Sequence, residues 1–180
     1  MIKSSFVTAT FNQGRGVRKR AARPLRAKRA IRRGTELDDD LTDAVRTRKP
    51  HRVLDFLREN KIRITDAQQT LRSSKYDVQP VADLLGSYKS RKAVVEVKCS
   101  PKDVFVSHAT RGQLAVPFDS MRDTWKNRAM LQAAIQAVVG GAKYAFVLRH
   151  DPKTKSNKLF QCTDALLARM RQALQNGYGQ

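Results

Sequence analysis

Two cysteines and three histidines in 180 residues leave little material for several common kinds of site. Cys99 and Cys162 supply neither a disulfide framework nor the paired spacing of a zinc site, which fits a reducing intracellular compartment. His51, His108 and His150 are isolated from one another, so no histidine pair is spaced for metal ligation. No run approaches the 18 apolar residues of a membrane span. A Walker loop and internal repeats are also missing. Acidic residues are scarce: 16 Asp and Glu stand against 36 Lys and Arg, a formal charge of +20. The hydrophobic fraction, 41%, is ordinary and sufficient for a core. A folded chain with that imbalance implies a polyanionic partner, and the basic segments lack the large apolar face that would anchor them on a membrane.

The lack of acid is complete at the start of the chain, where residues 1–34 hold eleven Lys or Arg and no Asp or Glu. A like-charged block with few apolar anchors predicts a disordered arm, followed by one folded domain over 35–180. The arm has three readings: a nucleic-acid-binding extension using Arg18, Lys19, Arg20, Arg32 and Arg33, a nuclear-localisation patch, or a mitochondrial transit peptide. The compartment is accordingly intracellular, nuclear or mitochondrial in a eukaryotic or viral setting.

Charge reverses at Glu36 to Asp40, and acids leading into Leu41 predict a helix N-terminus there. Pro50 interrupts the helical pattern, which resumes over 52–60. A loose alternation predicts a first strand at 62–71 and a second at 78–85, ended by Gly86-Ser87 and a flexible polar connection. The β-branched run Ala93 to Cys99 predicts a third, buried strand. A loop or irregular hairpin over 102–117 follows. The clearest helix spans 123–139, with Leu131, Ala134, Ile135 and Val138 at core spacing and Gly140-Gly141 as its stop. Lys143 to Arg149 is an apolar strand, which a right-handed strand, helix, strand crossover would set parallel to the Glu96 strand; Lys158 to Cys162 is an edge strand, and Thr163 to Gln175 an amphipathic helix.

Glu96 and Lys98 interrupt the buried strand, and two charges there call for a physical reason. Strand alternation sends both to the face of Val94, with Val95, Val97 and Cys99 on the other. A hairpin centred near Lys89 and Ser90 would set Asp83 directly opposite Glu96. Facing carboxylates destabilise a ladder unless a cation sits between them. Magnesium, or manganese, suits such a pair, because it needs one or two carboxylates and keeps several waters. An ion so held, with Lys98 beside it, points to phosphodiester hydrolysis.

These residues resemble a known pattern. Asp83, twelve intervening residues and then Glu96-Val97-Lys98 is similar to the core motif of the PD-(D/E)xK nuclease superfamily, with Ala82 in place of the motif's usual proline. An acid-x-Lys tripeptide also occurs at Glu59-Asn60-Lys61 and Asp151-Pro152-Lys153, but neither lies in an apolar strand preceded by an Asp-bearing one. Lys98-Cys99-Ser100-Pro101 resembles the Lys-Cys-Pro ending found in lambda-type and herpesvirus alkaline exonucleases, with Ser100 inserted. Gln132-Ala-Ala-Ile-Gln136 is similar to the Gln-x-x-x-Tyr helix motif of lambda-type and RecB-like nucleases, with Gln in the Tyr position.

The resemblance implies a mixed α/β (α+β), restriction-endonuclease-like core, in which a mixed central sheet is flanked by helices. It implies Asp83, Glu96 and the Val97 carbonyl as metal ligands, with Lys98 and Gln132 serving catalysis. The stripe Arg128, Gln132, Gln136 would set Arg128 and Gln136 against nucleic acid. A further acid from the leading helix would come from Asp55 or Glu59. The expected activity is that of a magnesium-dependent DNA exonuclease in recombination, replication or repair, acting on DNA or on RNA. Lambda-type relatives form rings, so a homo-oligomer is a further implication. Two competing readings use the same residues: a non-catalytic nucleic-acid-binding protein on a nuclease fold, and a structure-selective endonuclease such as a junction resolvase.

Overall fold

The computed structural model describes residues 25–177, with side chains for all of these except 25–31, 110 and 111. Its first helix, α1 (Leu25–Thr47), runs through both the helix start expected at Glu36–Asp40 and the domain boundary expected at residue 34. Arg, Lys, Ala and Glu are all good helix formers, and Arg32 reaches Glu36 one turn on at 2.7 Å, so the acids continue a helix that the basic residues have already begun. Arg18, Lys19 and Arg20 lie outside the described residues.

A second helix, α2 (Arg52–Glu59), follows Pro50 and is capped by His51, whose Nδ1 accepts from the Val53 N–H at 3.2 Å. Three antiparallel strands come next: β1 (Ile62–Thr70), β2 (Val81–Tyr88) and β3 (Arg91–Cys99). The second strand does not stop at Gly86. A Cβ built there would lie 1.9 Å from the Arg63 carbonyl oxygen, so this glycine marks a close approach of β1, which bulges between Ile64 and Asp66. The expected flexible connection is a two-residue turn at Lys89 and Ser90, both at positive φ (48° and 59°), closed by the Tyr88↔Arg91 pair.

The expected loop or irregular hairpin over 102–117 holds a short helix, α3 (Lys102–Val106), and a strand, β4 (His108–Gln113), which pairs with β5 (Arg122–Thr124) in a small second sheet. Helix α4 (Trp125–Val139) starts two residues later than expected, because Thr124 is its cap: the Thr124 hydroxyl accepts from the Asn127 N–H at 3.1 Å. Gly140 closes it and Gly141, at φ 64°, turns the chain. Then come β6 (Tyr144–His150), β7 (Asn157–Gln161) and α5 (Asp164–Gln175), the last capped by Thr163.

The main sheet has the order β1-β2-β3-β6-β7, with β3 and β6 parallel and the other neighbours antiparallel. Alternation along β3 decides what covers it. Val94 joins Leu131, Ile135, Val147 and Met170 in a core beneath α4 and α5, while Val95 and Val97 join Leu41, Val53, Leu57 and Leu148 beneath α1 and α2. Helix α4 is apolar on almost every side because it lies between the sheet and α5. Each fully buried Leu or Ile there contributes roughly 1.5–3 kcal/mol relative to exposure, which holds the helix rigidly over the centre of β3.

Candidate active site

The β2–β3 ladder ends at Leu84↔Val95. One step further, in the same register, Asp83 and Glu96 oppose each other, and there side chains take over the hydrogen bonds that a ladder would have made. The Val97 N–H donates to Asp83 Oδ2 at 2.8 Å. The Val81 carbonyl accepts from Gln136 Nε2 at 2.9 Å, across from α4. The two strands therefore part at the carboxylates, and polar side chains line the opening.

Glu96 is 0% exposed and held on both oxygens: Oε1 accepts from Lys98 Nζ, and Oε2 from Gln136 Nε2 at 2.5 Å. Lys98 Nζ also donates to Gln132 Oε1 at 3.2 Å. Strand alternation places Lys98 two residues from Glu96 on the same face, and α4 supplies Gln132 and Gln136 one turn apart above them. Asp83, Glu96, Lys98 and Gln132 thus come together at one point. Gln136 comes with them, which corrects the expectation that it faces nucleic acid: it is fully buried, because its amide is needed between Glu96 and Val81.

Electrostatics follow from this crowding. Burial, and then the charge of Glu96, push the Asp83 carboxyl well above its ordinary range, although Lys98 and the Val97 N–H pull the other way. Burial alone would lower Lys98, but Glu96 and Asp83 outweigh it and raise the ammonium's pKa. A third carboxylate, outside the set expected from the sequence, shares the field. Asp38, on α1, is pushed up to about 6, first by burial and then by Glu96, against the pull of Lys98. Its signal was present: Leu37, Leu41, Ala44 and Val45 form the inward face of α1, and Asp38 sits between Leu37 and Leu41 on that face.

Asp55 and Glu59, expected as the helical acids, belong elsewhere. They line a separate cleft of about 410 Å³ with His51, Arg52 and Lys155, and Asp55 pairs with Arg58 at 3.1 Å. Asp38 takes the place assigned to them because it is the first helix, not the second, that passes the site. Arg128 stands one turn before Gln132, its guanidinium forked onto the buried Asp123 at 2.6 and 2.8 Å. Arg32 and Arg33 are exposed on α1, and the charge of Arg33 is felt at Cys99, next to Lys98.

Acceptors outnumber donors at this point. Asp38, Asp83 and Glu96 face the ammonium of Lys98, and the buried Gln136 Oε1 meets no donor among the described residues. No three His, Cys, Asp or Glu side chains among the described residues cage an ion by themselves. The donor set is instead two opposed carboxylates in a field short of positive charge, which fits a hard divalent cation that retains water.

No family model and no curated protein matches this chain. Solved structures do. The chain is similar to the alkaline exonuclease LHK-Exo from Laribacter hongkongensis, with a TM-score of 0.52 and 14% identity, over 98% of this chain and 84% of that one. Two further structures match less well: LHK-Exo in complex with dAMP (TM-score 0.49, 14% identity, 97% of this chain, 84% of that one) and SSO0001 (0.41, 14%, 96% and 74%). At such identity the first of these establishes a likeness of fold alone, here a mixed sheet flanked by helices, in line with the PD-(D/E)xK resemblance of the sequence. Among the described residues, no helix is long and apolar enough to cross a membrane.

Proposed function

We propose that the chain is a magnesium-dependent nuclease that hydrolyses phosphodiester bonds of DNA, working as an exonuclease in recombination, replication or repair. The observation that carries this reading is the opposition of Asp83 and Glu96 where the β2–β3 ladder opens, with Lys98 bound to Glu96 and to Gln132. The fold supports it, since the similar solved structure is that of an alkaline exonuclease. A non-catalytic binding protein would gain nothing from opposed buried carboxylates, which repel and cost stability.

Asp83, Glu96 and the Val97 carbonyl would hold the ion, which when bound neutralises charge on the phosphate and makes water a nucleophile near neutral pH. The chain's own groups do the rest. Lys98, kept protonated by the acids around it, donates a hydrogen bond to the attacking oxygen or to the charge developing on the phosphate. Gln132 fixes the direction of that ammonium through its Oε1. Gln136 fixes the Glu96 carboxylate by donating to its Oε2. Arg128, held by Asp123, offers a fixed guanidinium one helical turn outward, suited to a phosphate of the bound strand.

End-labelled linear duplex DNA incubated with magnesium tests the reading, beside Glu96→Gln and an EDTA control. Degradation lost in both controls is expected, releasing mononucleotides. Full activity in Glu96→Gln, or tight binding without cleavage across DNA and RNA substrates, would overturn it.

A further inference from the structure

Helix α4 buries its apolar residues so thoroughly that the exception stands out. Trp125, the only tryptophan of the chain, is 48% exposed at the start of this helix. It is nonetheless held in place. Its backbone N–H donates to the Ser107 carbonyl at 3.3 Å, and the Arg128 guanidinium carbon lies 5.3 Å from the centre of its ring system. Arg128 in turn is fixed by two hydrogen bonds to Asp123, which is 2% exposed. A buried carboxylate therefore orients a cation, and the cation backs an exposed indole.

The position of this indole relates it to the site. Trp125, Arg128, Gln132 and Gln136 follow each other at intervals of three, four and four residues, so they share one stripe of the helix. Seven residues separate Trp125 from Gln132, about 10 Å along the axis. That distance is roughly three steps of a duplex at 3.4 Å each, and fewer for a stretched single strand. The stripe thus runs from an exposed aromatic face, past a fixed guanidinium, to the ammonium of Lys98. Exposed Val104 and Val106, on the segment just before Ser107, add apolar surface beside it.

We propose that Trp125 is a stacking platform for an unpaired base of the substrate strand, which it holds while a neighbouring phosphate meets Arg128 and a further one reaches Lys98. This rests on the nuclease reading above and adds a substrate preference to it. An aromatic face binds every base with little regard to sequence, and each stacked base typically contributes 1–3 kcal/mol. The protein should accordingly favour strands with an unpaired base at the engaged end over fully paired ends and over backbones lacking a base.

The single tryptophan makes the test direct. Emission of the full-length protein is recorded in EDTA while a dye-free single-stranded oligonucleotide, or the same strand with abasic sites at its end, is added, and binding of dye-labelled copies is followed in parallel by anisotropy. Quenching by the base-bearing strand but not by the abasic one, with both bound, is the expected result. Trp125→Ala should lose roughly tenfold in affinity for the base-bearing strand only, and Trp125→Phe should recover most of it. Equal quenching by both strands, or equal affinity of Trp125→Ala, overturns the proposal. So does emission that changes with protein concentration alongside self-association in sedimentation, which would assign the indole to an interface between copies. Cleavage in magnesium is scored separately. Cleavage without base-dependent quenching removes the platform and leaves the nuclease, whereas base-dependent quenching without cleavage keeps the platform and removes the enzyme.

Discussion

Strands β3 and β6 lie side by side in parallel register, with Lys98 opposite Arg149, and each leads into buried charge, yet the two ends are built on opposite principles. Beyond β6, Asp151 is fully provided for. Burial alone would raise its carboxyl, but the N–H groups of Lys153 and Thr154 and the Arg149 guanidinium, at 3.0, 3.4 and 3.1 Å, hold it below its ordinary value. Around Glu96 of β3, Asp83 of β2 and Asp38 of α1 are pushed upward by burial and by their neighbours' negative charge. Both ends carry an acid-x-Lys tripeptide. In Asp151-Pro152-Lys153 the acid is a turn-forming anchor, its carboxylate tied to the backbone of its own loop. In Glu96-Val97-Lys98 the acid is crowded by other acids across an opened ladder. A satisfied carboxylate serves stability, whereas a crowded one costs stability and is retained for chemistry.

The largest effect expected from this contrast is Asp83→Asn. Asn keeps an acceptor for the Val97 N–H but removes the charge opposing Glu96. Cleavage should fall on the order of 10³-fold, while the melting temperature at pH 8 without metal rises, by about 2–4 °C for each kcal/mol of repulsion relieved. Magnesium should raise the melting temperature of the wild type and do little for the variant. A variant that melts lower and still cleaves would place Asp83 with the structural acids. Asp151→Asn should do the reverse, lowering the melting temperature by several degrees because the Arg149 guanidinium, 6% exposed, loses its carboxylate, with cleavage per folded molecule unchanged. Collapse of cleavage without loss of stability would move the second tripeptide into the site.

A finer division exists within α4. Gln136→Leu removes the donor from both Glu96 and Val81, a loss of about 1–3 kcal/mol in stability, together with activity. Gln132→Ala touches only the direction of Lys98. It should lower turnover roughly tenfold with the melting curve in place. Steady-state kinetics beside thermal melts separate the two, and equal melting losses would break the division.

How much of this was legible in the sequence depended on how local the cause was. The centre of the β2–β3 hairpin at Lys89 and Ser90 and the register that opposes Asp83 to Glu96 follow from alternation, a local feature, and they stand where the pattern placed them. The parallel pairing of β3 with β6 followed from strand, helix, strand order. What escaped was set by tertiary contact. Gly86 reads as a breaker until β1 is seen to press against it. Gln136 reads as a polar edge until the opened ladder is seen to need its amide. Asp38 reads as an N-terminal acid of a new helix, because charge reversal is conspicuous and the helix-forming strength of the preceding Arg, Lys and Ala run is not. Asp123 reads as the first residue of a helix and is instead the buried clamp of Arg128.

Asp38 gives the contrast its mildest and most quantitative test. Its carboxyl titrates at about 6 in the folded chain against an ordinary 3.8, so between those values the folded state holds a proton that the unfolded state has released. Its contribution to stability is therefore fully present below about 3.8 and is lost as pH rises through about 6. Asp151 contributes with the opposite sign: its lowered carboxyl favours the folded state above the ordinary value, and that gain is lost as pH falls through its folded pKa. Melting temperatures of wild type and Asp38→Asn, compared from pH 4.5 to 7.5, should diverge as pH rises, with the variant gaining relative to the wild type across the region near 6. For Asp151→Asn the gap to the wild type should hold steady above about pH 4 and narrow only below it, as acid is added. A difference for Asp38→Asn that stays constant with pH would mean that its carboxylate is solvated and that only Asp83 and Glu96 are crowded. The acid of α1 would then leave the site, and the opened ladder of β2 and β3 would carry the chemistry alone.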